Sequence, residues 1–385
     1  MRVVIDARSA TAPHRTGVGR YTWQLVRRLP LSDPSAQYVA WYLNAGGALT
    51  GRRFFADVGA SNLVEHGTPI PARWFNRAVA RLGLPHLESF VRGDVVFGPN
   101  FVPPPTRAQR VVVTVHDLGF RLLPSTALHA VPWWLRSLER TLAAAARVIV
   151  PSSATANDVE EHYGVERDRI DVIPLGVDAD EFHPRDHDDL RGVLDRYGID
   201  GPYVLFVGLD GRKNLPVMLD AFARVQGSIR PRLVLTGAKP WNPNRRDTVA
   251  EALTHAPAAV RDDITLTGYV AEHDASALLA GAELLAYPSL YEGFGLPVLE
   301  AMASGTPVLA SNVSALPEVA DGAAVLVDPH DPDAIAAGIE SLLQDQALRT
   351  RLRSAGLERA RAYDWDATAR RTAGVLRAAA VGSAK

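Results

Sequence analysis

Tyr287-Pro288-Ser289-Leu290-Tyr291-Glu292-Gly293-Phe294-Gly295-Leu296-Pro297-Val298-Leu299-Glu300-Ala301-Met302-Ala303-Ser304-Gly305-Thr306-Pro307-Val308-Leu309-Ala310 reads as strand, loop, helix and strand in succession. Leu284 to Tyr287 forms the short apolar strand that leads in. Gly293 and Gly295 free the following loop from side-chain bulk. Pro297 suits the first turn of a helix, where a missing N–H costs nothing. The helix runs from Val298 to Ser304, Gly305 ends it, and Thr306 to Ala310 is the next strand. A helix N-terminus offers free backbone N–H groups and partial positive charge to a phosphate or to an array of sugar hydroxyls. Two carboxylates flank it, Glu292 in the loop and Glu300 further along the helix. Carboxylates accept hydrogen bonds from hydroxyls. Any one of these features describes an ordinary strand-to-helix connection with solvated glutamates. Together they fit a ligand that carries both phosphate and hydroxyls, such as a sugar nucleotide.

The same rhythm of short apolar strands and longer amphipathic segments extends in both directions. Val3 to Asp6, Tyr38 to Leu43, Val95 to Phe97, Val111 to Val115 and Val148 to Pro151 are the strands of the first half. Tyr203 to Gly208, Arg232 to Gly237, Ile264 to Thr267, Leu284 to Tyr287, Val308 to Ala310 and Ala324 to Val327 are those of the second. Continuous apolar strands alternating with helices predict parallel sheets covered on both faces, and such sheets bind ligands beyond the carboxyl ends of their strands. At 385 residues and 41.6 kDa the chain exceeds one ordinary core, so two Rossmann-like domains are expected. The boundary falls after Ile173-Pro174-Leu175-Gly176-Val177-Asp178, where Ala179 to Asp189 has linker composition. This gives domains 1–180 and 181–364, followed by a helical run over 365–385.

Composition narrows the function. Hydrophobic residues at 47% and charged residues at 22% describe a soluble globular protein, and a net charge of −2 argues against general nucleic-acid binding. The absence of cysteine excludes disulfides, thiolate nucleophiles and thiolate metal sites, and fits a reducing compartment. Met1 to Asp6 is too short an apolar run for a signal peptide, and no run is long enough to span a bilayer, so the expected location is the cytoplasm.

Three further loops carry chemistry. Gly208-Leu209-Asp210-Gly211-Arg212-Lys213-Asn214 follows a strong strand and offers a guanidinium and an ammonium to a pyrophosphate. Val113-Thr114-Val115-His116-Asp117 puts a histidine at a strand end, which taken alone is more often structural than catalytic. Thr16-Gly17-Val18-Gly19-Arg20-Tyr21 lacks the full dinucleotide glycine pattern because position 22 is threonine, so nicotinamide binding is disfavoured.

Glu292-Gly293-Phe294-Gly295-Leu296-Pro297-Val298-Leu299-Glu300 resembles the E-x7-E motif of the retaining glycosyltransferases of family 4, and the resemblance runs through nearly the whole chain. It implies a GT-B fold, with two facing Rossmann-like domains, a cleft between them, and a last helix that crosses back to the first domain. It implies transfer of a sugar from a nucleotide donor to an acceptor hydroxyl with retained anomeric configuration. By the same resemblance Arg212 and Lys213 neutralise the donor diphosphate, although many members place the arginine where this chain has Leu209. Glu292 with the N–H groups of Gly293, Phe294, Gly295 and Leu296 holds the sugar, and Glu300 holds the ribose. His116 lies against the donor sugar. Asp117 orients that ring or meets the acceptor. Gly17 and Gly19 approach the donor phosphate, Arg20 faces an anionic acceptor or solvent, and Val270 lies near the base. The opening Asp6-Ala7-Arg8 with Thr16 to Tyr21 looks most like bacterial mannosyl- and rhamnosyltransferases of polysaccharide assembly. GDP-mannose is therefore the first expected donor and dTDP-rhamnose the second, and the acceptor is a saccharide or a lipid-linked glycan.

No covalent nucleophile stands out, and the resemblance implies a front-side mechanism in which the departing phosphate takes the acceptor's proton. No Asp-x-Asp triplet suitable for a metal–diphosphate bridge appears at a strand end apart from Asp178-Ala179-Asp180 in the linker, so no metal or other cofactor is expected. A sugar-nucleotide epimerase, a glycoside phosphorylase and a non-catalytic partner subunit are the rival readings. Finally, Arg73, Arg77 and Arg81 alternate with Trp74, Ala78 and Leu82 in a basic amphipathic pattern. That pattern fits either a helix packed on its own domain or peripheral contact with the anionic inner face of the membrane.

Overall fold

The computed structural model describes residues 1–12, 16–45, 53–108, 110–124, 132–226, 231–237 and 248–381. Contacts divide the chain into two units. The first comprises Met1–Leu118, Ala130–Gly176 and Asp364–Lys385, and the second Gly119–His129 and Val177–Tyr363.

The first unit is built on seven strands: β1 (Arg2–Asp6), β2 (Gln37–Leu43), β3 (Leu63–Thr68), β4 (Val95–Gly98), β5 (Val111–Thr114), β6 (Arg147–Val150) and β7 (Ile170–Val172). They lie in the order β3-β2-β1-β4-β5-β6-β7 and every pairing is parallel. The second unit holds six: β8 (Tyr203–Val207), β9 (Arg232–Thr236), β10 (Ile264–Gly268), β11 (Leu284–Tyr287), β12 (Val308–Ser311) and β13 (Val325–Val327). Their order is β10-β9-β8-β11-β12-β13, again all parallel. In each sheet the chain works outward to one edge and then returns past its first strand. The winding therefore reverses between β1 and β4, and between β8 and β11, the places where doubly wound sheets open a binding crevice.

The central strands are buried on both faces, which is why they read as unbroken apolar runs: Val3, Val4 and Ile5 of β1, and Leu284, Leu285 and Ala286 of β11, are inaccessible to solvent. The sequence reading misses β3 and β7. Both are edge strands, and Glu65, His66 and Asp171 on them are not fully buried, so neither shows the apolar run that marks a central strand.

The last helix, Trp365–Val381, packs on the helix Gly17–Ser32 of the first unit. Trp365, Ala369, Ala373 and Leu376 form its buried stripe, and ion pairs Arg28–Asp366 (3.0 Å) and Arg377–Asp33 (3.4 Å) flank it. The segment before it returns beside the chain near Gly176. Thr368 Oγ1 donates to the Pro174 carbonyl at 2.9 Å, and a Cβ on Gly176 would overlap the backbone of Trp365. Gly192, inside the helix His187–Tyr197, has nothing within 4 Å of the place its Cβ would occupy.

These two glycines should respond oppositely to alanine. Gly192→Ala should stabilise the protein by about 0.5–1 kcal/mol through helix propensity. Gly176→Ala should destabilise by about 1–3 kcal/mol through overpacking. Melting curves of both variants beside wild type check the pair.

Candidate active site

In the second unit the reversal point lies between β8 and β11, and the loops that leave these two strands lock together. Gly208 ends β8 at φ +90°, and a side chain there would press on Lys213, whose Cε lies 2.8 Å from the would-be Cβ. Glycine thus lets the Lys213 stem fold back under the loop. Asn214 follows in the left-handed region (φ 68°) and opens the helix Leu215–Arg224. Its amide nitrogen donates to the carbonyls of Pro288 (3.2 Å) and Pro329 (2.6 Å). The Leu290 N–H donates to the Arg212 carbonyl at 2.8 Å. On the far side, the Glu292 N–H donates to Ser314 Oγ at 2.9 Å. Backbone bonds thus fix both loops before any charge is considered.

The side chains then converge. Arg212 Nη1 lies 2.7 Å from Glu292 Oε2, and Lys213 Nζ lies 2.6 Å from Glu292 Oε1. Arg212 Nε also pairs with Asp210 at 3.2 Å. The Tyr287 hydroxyl, at the end of β11, donates to Glu292 Oε1 at 3.0 Å and itself receives a hydrogen bond from Lys213. Lys213 and Glu292 are buried, and Arg212 is partly buried. Burial alone would push the Glu292 carboxyl up, but Arg212 and Lys213 outweigh it and hold it at about 2. Burial lowers the Lys213 pKa, with the Glu292 charge opposing. Burial, with the Glu292 charge beside it, pushes the Tyr287 phenol well up. The carboxylate is therefore ionised and the phenol neutral near neutral pH.

The helix Leu296–Ala303 begins beside this cluster. Gly295 caps it at φ +102°, and a Cβ there would come within 2.5 Å of Leu316 Cδ2, so the entry demands glycine. Pro297 sits in the first turn, as its sequence position predicts. Phe294 packs edge-to-face on Tyr363 (5.6 Å between centroids). Glu300 is buried on the helix rather than solvated. Val270 follows β10, half-buried, and takes no part in the cluster.

The first unit holds the remaining residues. His116 is buried just beyond β5. Its Nε2 lies 2.8 Å from the Pro99 carbonyl. A carbonyl only accepts, so Nε2 carries the proton and the neutral ring offers its Nδ1 lone pair. Burial lowers the ring's pKa, with the Pro99 bond and Asp117 opposing. Tyr21 meets the ring edge-to-face at 4.8 Å and Phe101 at 5.7 Å. Gly17 and Gly19 lie in the first turn of the helix Gly17–Ser32, where Thr16 Oγ1 accepts the Gly19 N–H at 3.4 Å. Arg20 is partly buried on the same turn.

Sequence reasoning thus brings Arg212, Lys213 and Glu292 to one point but misses Tyr287, Asp210, Asn214 and Ser314. Tyr287 reads as a strand residue. Ser314 lies far along the chain, with no local pattern to mark it.

A doubly wound domain with one buried and one partly buried cation, an ionised carboxylate and a helix N-terminus at its reversal point has the chemistry that suits phosphorylated, hydroxyl-rich ligands. The relatives make that class specific. Residues 15–181 match the model described as Glycosyltransferase Family 4, and residues 201–345 the one described as Glycosyl transferases group 1. O-antigen chain mannosyltransferase B of Escherichia coli is 30% identical over 372 residues, covering 91% of this chain and 93% of its own. The MMP alpha-(1->4)-mannosyltransferase of Mycolicibacterium hassiacum is 33% identical over 263 residues, covering 64% of this chain and 60% of its own. Among solved structures, WaaG, a glycosyltransferase involved in lipopolysaccharide biosynthesis, matches with a TM-score of 0.69 at 17% identity, covering all of both chains. HepE of Anabaena, in complex with UDP-glucose, matches at 0.70 and 17%, covering 98% of this chain and 100% of its own. The chain belongs to glycosyltransferase family 4. It is a glycosyltransferase of the GT-B type.

The depressed Glu292 pKa fixes the sign of a pH effect. Its ion pairs stabilise the fold fully above the unfolded carboxylate value of 4.5, and that contribution is lost as pH falls towards about 2. Glu292→Gln removes one partner of a buried pair, at a cost on the order of 3 kcal/mol. The difference in melting temperature between wild type and Glu292→Gln should stay level from about pH 7 to 5, then narrow on further acidification. Melting curves across this range check the trend, and a gap that widens in acid contradicts it.

Proposed function

We propose that this glycosyltransferase moves a mannosyl residue from GDP-mannose to the hydroxyl of a saccharide or lipid-linked acceptor, with retention of anomeric configuration and without a metal ion. The observation that carries the donor sugar is the full-length similarity to O-antigen chain mannosyltransferase B. The chemistry is supported by the cluster at the β8/β11 reversal point. Arg212 and Lys213 supply positive charge where the diphosphate leaves, and the helix N-terminus at Gly295–Leu296 adds partial positive charge. Glu292 holds both cations in place and presents its carboxylate edge to sugar hydroxyls, while Glu300 takes the ribose hydroxyls. His116, neutral with Nδ1 as acceptor, receives a hydroxyl of the donor sugar, and Asp117 supports it. Gly17 and Gly19 leave the backbone open to the phosphate, with Arg20 on the acceptor side. Val270 borders the base.

The same reading places the enzyme at an anionic membrane surface when its acceptor is lipid-linked. In the helix Ala72–Leu82, Phe75 is buried, whereas Trp74 is 57% and Leu82 72% exposed and Arg73, Arg77 and Arg81 face solvent. No helix among the described residues is long and apolar enough to cross a membrane.

The donor is tested by thermal shift with GDP, UDP and dTDP, followed by a transfer assay with the matching nucleotide sugar. GDP at a hundredfold its Kd should stabilise the protein by about 2.7 kcal/mol, and Arg212→Ala or Lys213→Ala should weaken that binding by about 1.5–3 kcal/mol each. Transfer should persist in EDTA and yield the donor's anomer by NMR. Stabilisation by dTDP instead of GDP assigns a rhamnosyl donor, and an inverted product or loss of transfer in EDTA overturns the mechanism. Co-sedimentation with anionic vesicles should weaken with salt and fall when Arg73, Arg77 and Arg81 are all glutamine. No sedimentation at low salt leaves this helix merely packed on its unit.

A further inference from the structure

The chain takes most of its positive charge from arginine. Of its 41 lysines and arginines only three are lysines, Lys213, Lys239 and Lys385. A lysine inside the β8/β11 cluster therefore marks a place with a demand of its own. A guanidinium stays charged in almost any surroundings, whereas an ammonium is compact and its charge depends on its partners.

Those partners are few and close. Lys213 is buried, and its stem lies folded under Gly208, so the ammonium is confined to one seat. It donates to Glu292 Oε1 at 2.6 Å and to the Tyr287 hydroxyl, and it lies 4.5 Å from the centroid of the Tyr287 ring. The other charged groups acting on it are Arg212, which opposes its charge, and Asp210, which favours it. Asp210 is itself paired with Arg212 at 3.2 Å.

Of the two acceptors, Glu292 is the more contested. Its Oε1 accepts from both Lys213 and Tyr287, and its Oε2 from Arg212. Any sugar hydroxyl that donates to this carboxylate draws on the same lone pairs. The Tyr287 hydroxyl is committed differently. Its proton goes to Glu292 and its oxygen accepts from Lys213. Tyr287 is buried at the end of β11, and burial, with the Glu292 charge beside it, pushes its phenol well up. This acceptor therefore brings no negative charge to repel a diphosphate. Phenylalanine at 287 would keep the ring face and lose the acceptor. Burial would still favour the neutral amine, with one partner fewer to oppose it, so Lys213 would lose its proton at lower pH.

We propose that Tyr287 is a positioning residue for the transfer reaction, whose hydroxyl keeps Lys213 protonated and seated for the donor diphosphate while Glu292 is shared with Arg212 and the donor sugar. The inference rests on the glycosyl-transfer reading and adds the residue that sustains its buried cation. The test uses the full chain with ¹³C-labelled lysine, in which the Lys213 Cε resonance is assigned by its absence from Lys213→Met. Its titration midpoint should lie at lower pH in Tyr287→Phe than in wild type. Calorimetry with GDP should find the two proteins within about twofold at pH 7 and about tenfold apart at pH 9, with Tyr287→Phe the weaker. At pH 9 the variant should also take up more protons on binding GDP than wild type, measured in two buffers of different ionisation enthalpy. In a Lys213→Met background, Tyr287→Phe should change GDP affinity by no more than about twofold, because the group it serves is gone. A purely structural role would weaken binding equally at both pH values. Three results overturn the proposal: an unmoved or raised midpoint, a deficit that does not grow with pH, or a full effect of Tyr287→Phe without Lys213. Failure of the transfer reading shows separately, as wild type that gains no stability from GDP, UDP or dTDP, and the NMR midpoint tests the lysine's seat in either case.

Discussion

The buried pairing of Lys213 with Glu292 is the constraint on which the second unit's site depends. Desolvating either charge alone is expensive, and each is tolerated because the other is 2.6 Å away with Arg212 on the opposite carboxylate oxygen. The two residues stand 79 positions apart on loops from different strands, so the pairing exists only when β8 and β11 lie side by side. Asn214, Leu290 and Ser314 supply the neutral hydrogen bonds that hold the loops in register. The glycine at the end of β8 clears the path for the lysine.

The two reversal points solve the same topological problem with different side chains. Between β8 and β11, two cations share one carboxylate of the central cluster, and Asp210 touches only the arginine. Between β1 and β4, one guanidinium is matched by one carboxylate, and the nearby histidine is kept neutral by burial. The topology is shared, and a handful of loop residues sets the chemistry.

Much of this was legible in the sequence because central parallel strands must be apolar on both faces. All eleven strands expected from apolar runs are present. Leu296–Ala303 starts two residues earlier than its proline suggests and ends one residue before Ser304. The edge strands β3 and β7 were not legible, since a strand half open to water need not look like one. At the site, Arg212, Lys213 and Glu292 announced themselves as charges on glycine-bearing loops at strand ends. Their mutual ion pairing did not, because sequence does not say which loops become neighbours. Tyr287 was hidden by its role as a strand residue. Phe101 was hidden because its strained backbone (φ +51°) leaves no mark on composition.

The first unit is discontinuous, and this bears on the order in which the protein can be finished. Its helix Gly17–Ser32 and the strands β4, β5 and β6 pack against Trp365–Val381. On a ribosome, the second unit is synthesised in full, with its apolar core closed over β8 to β13, while the first still lacks the helix whose Trp365 packs on Tyr21. The amino-terminal half is therefore translated first and completed last. Until residue 365 and those after it emerge, it carries an open apolar groove the length of one helix.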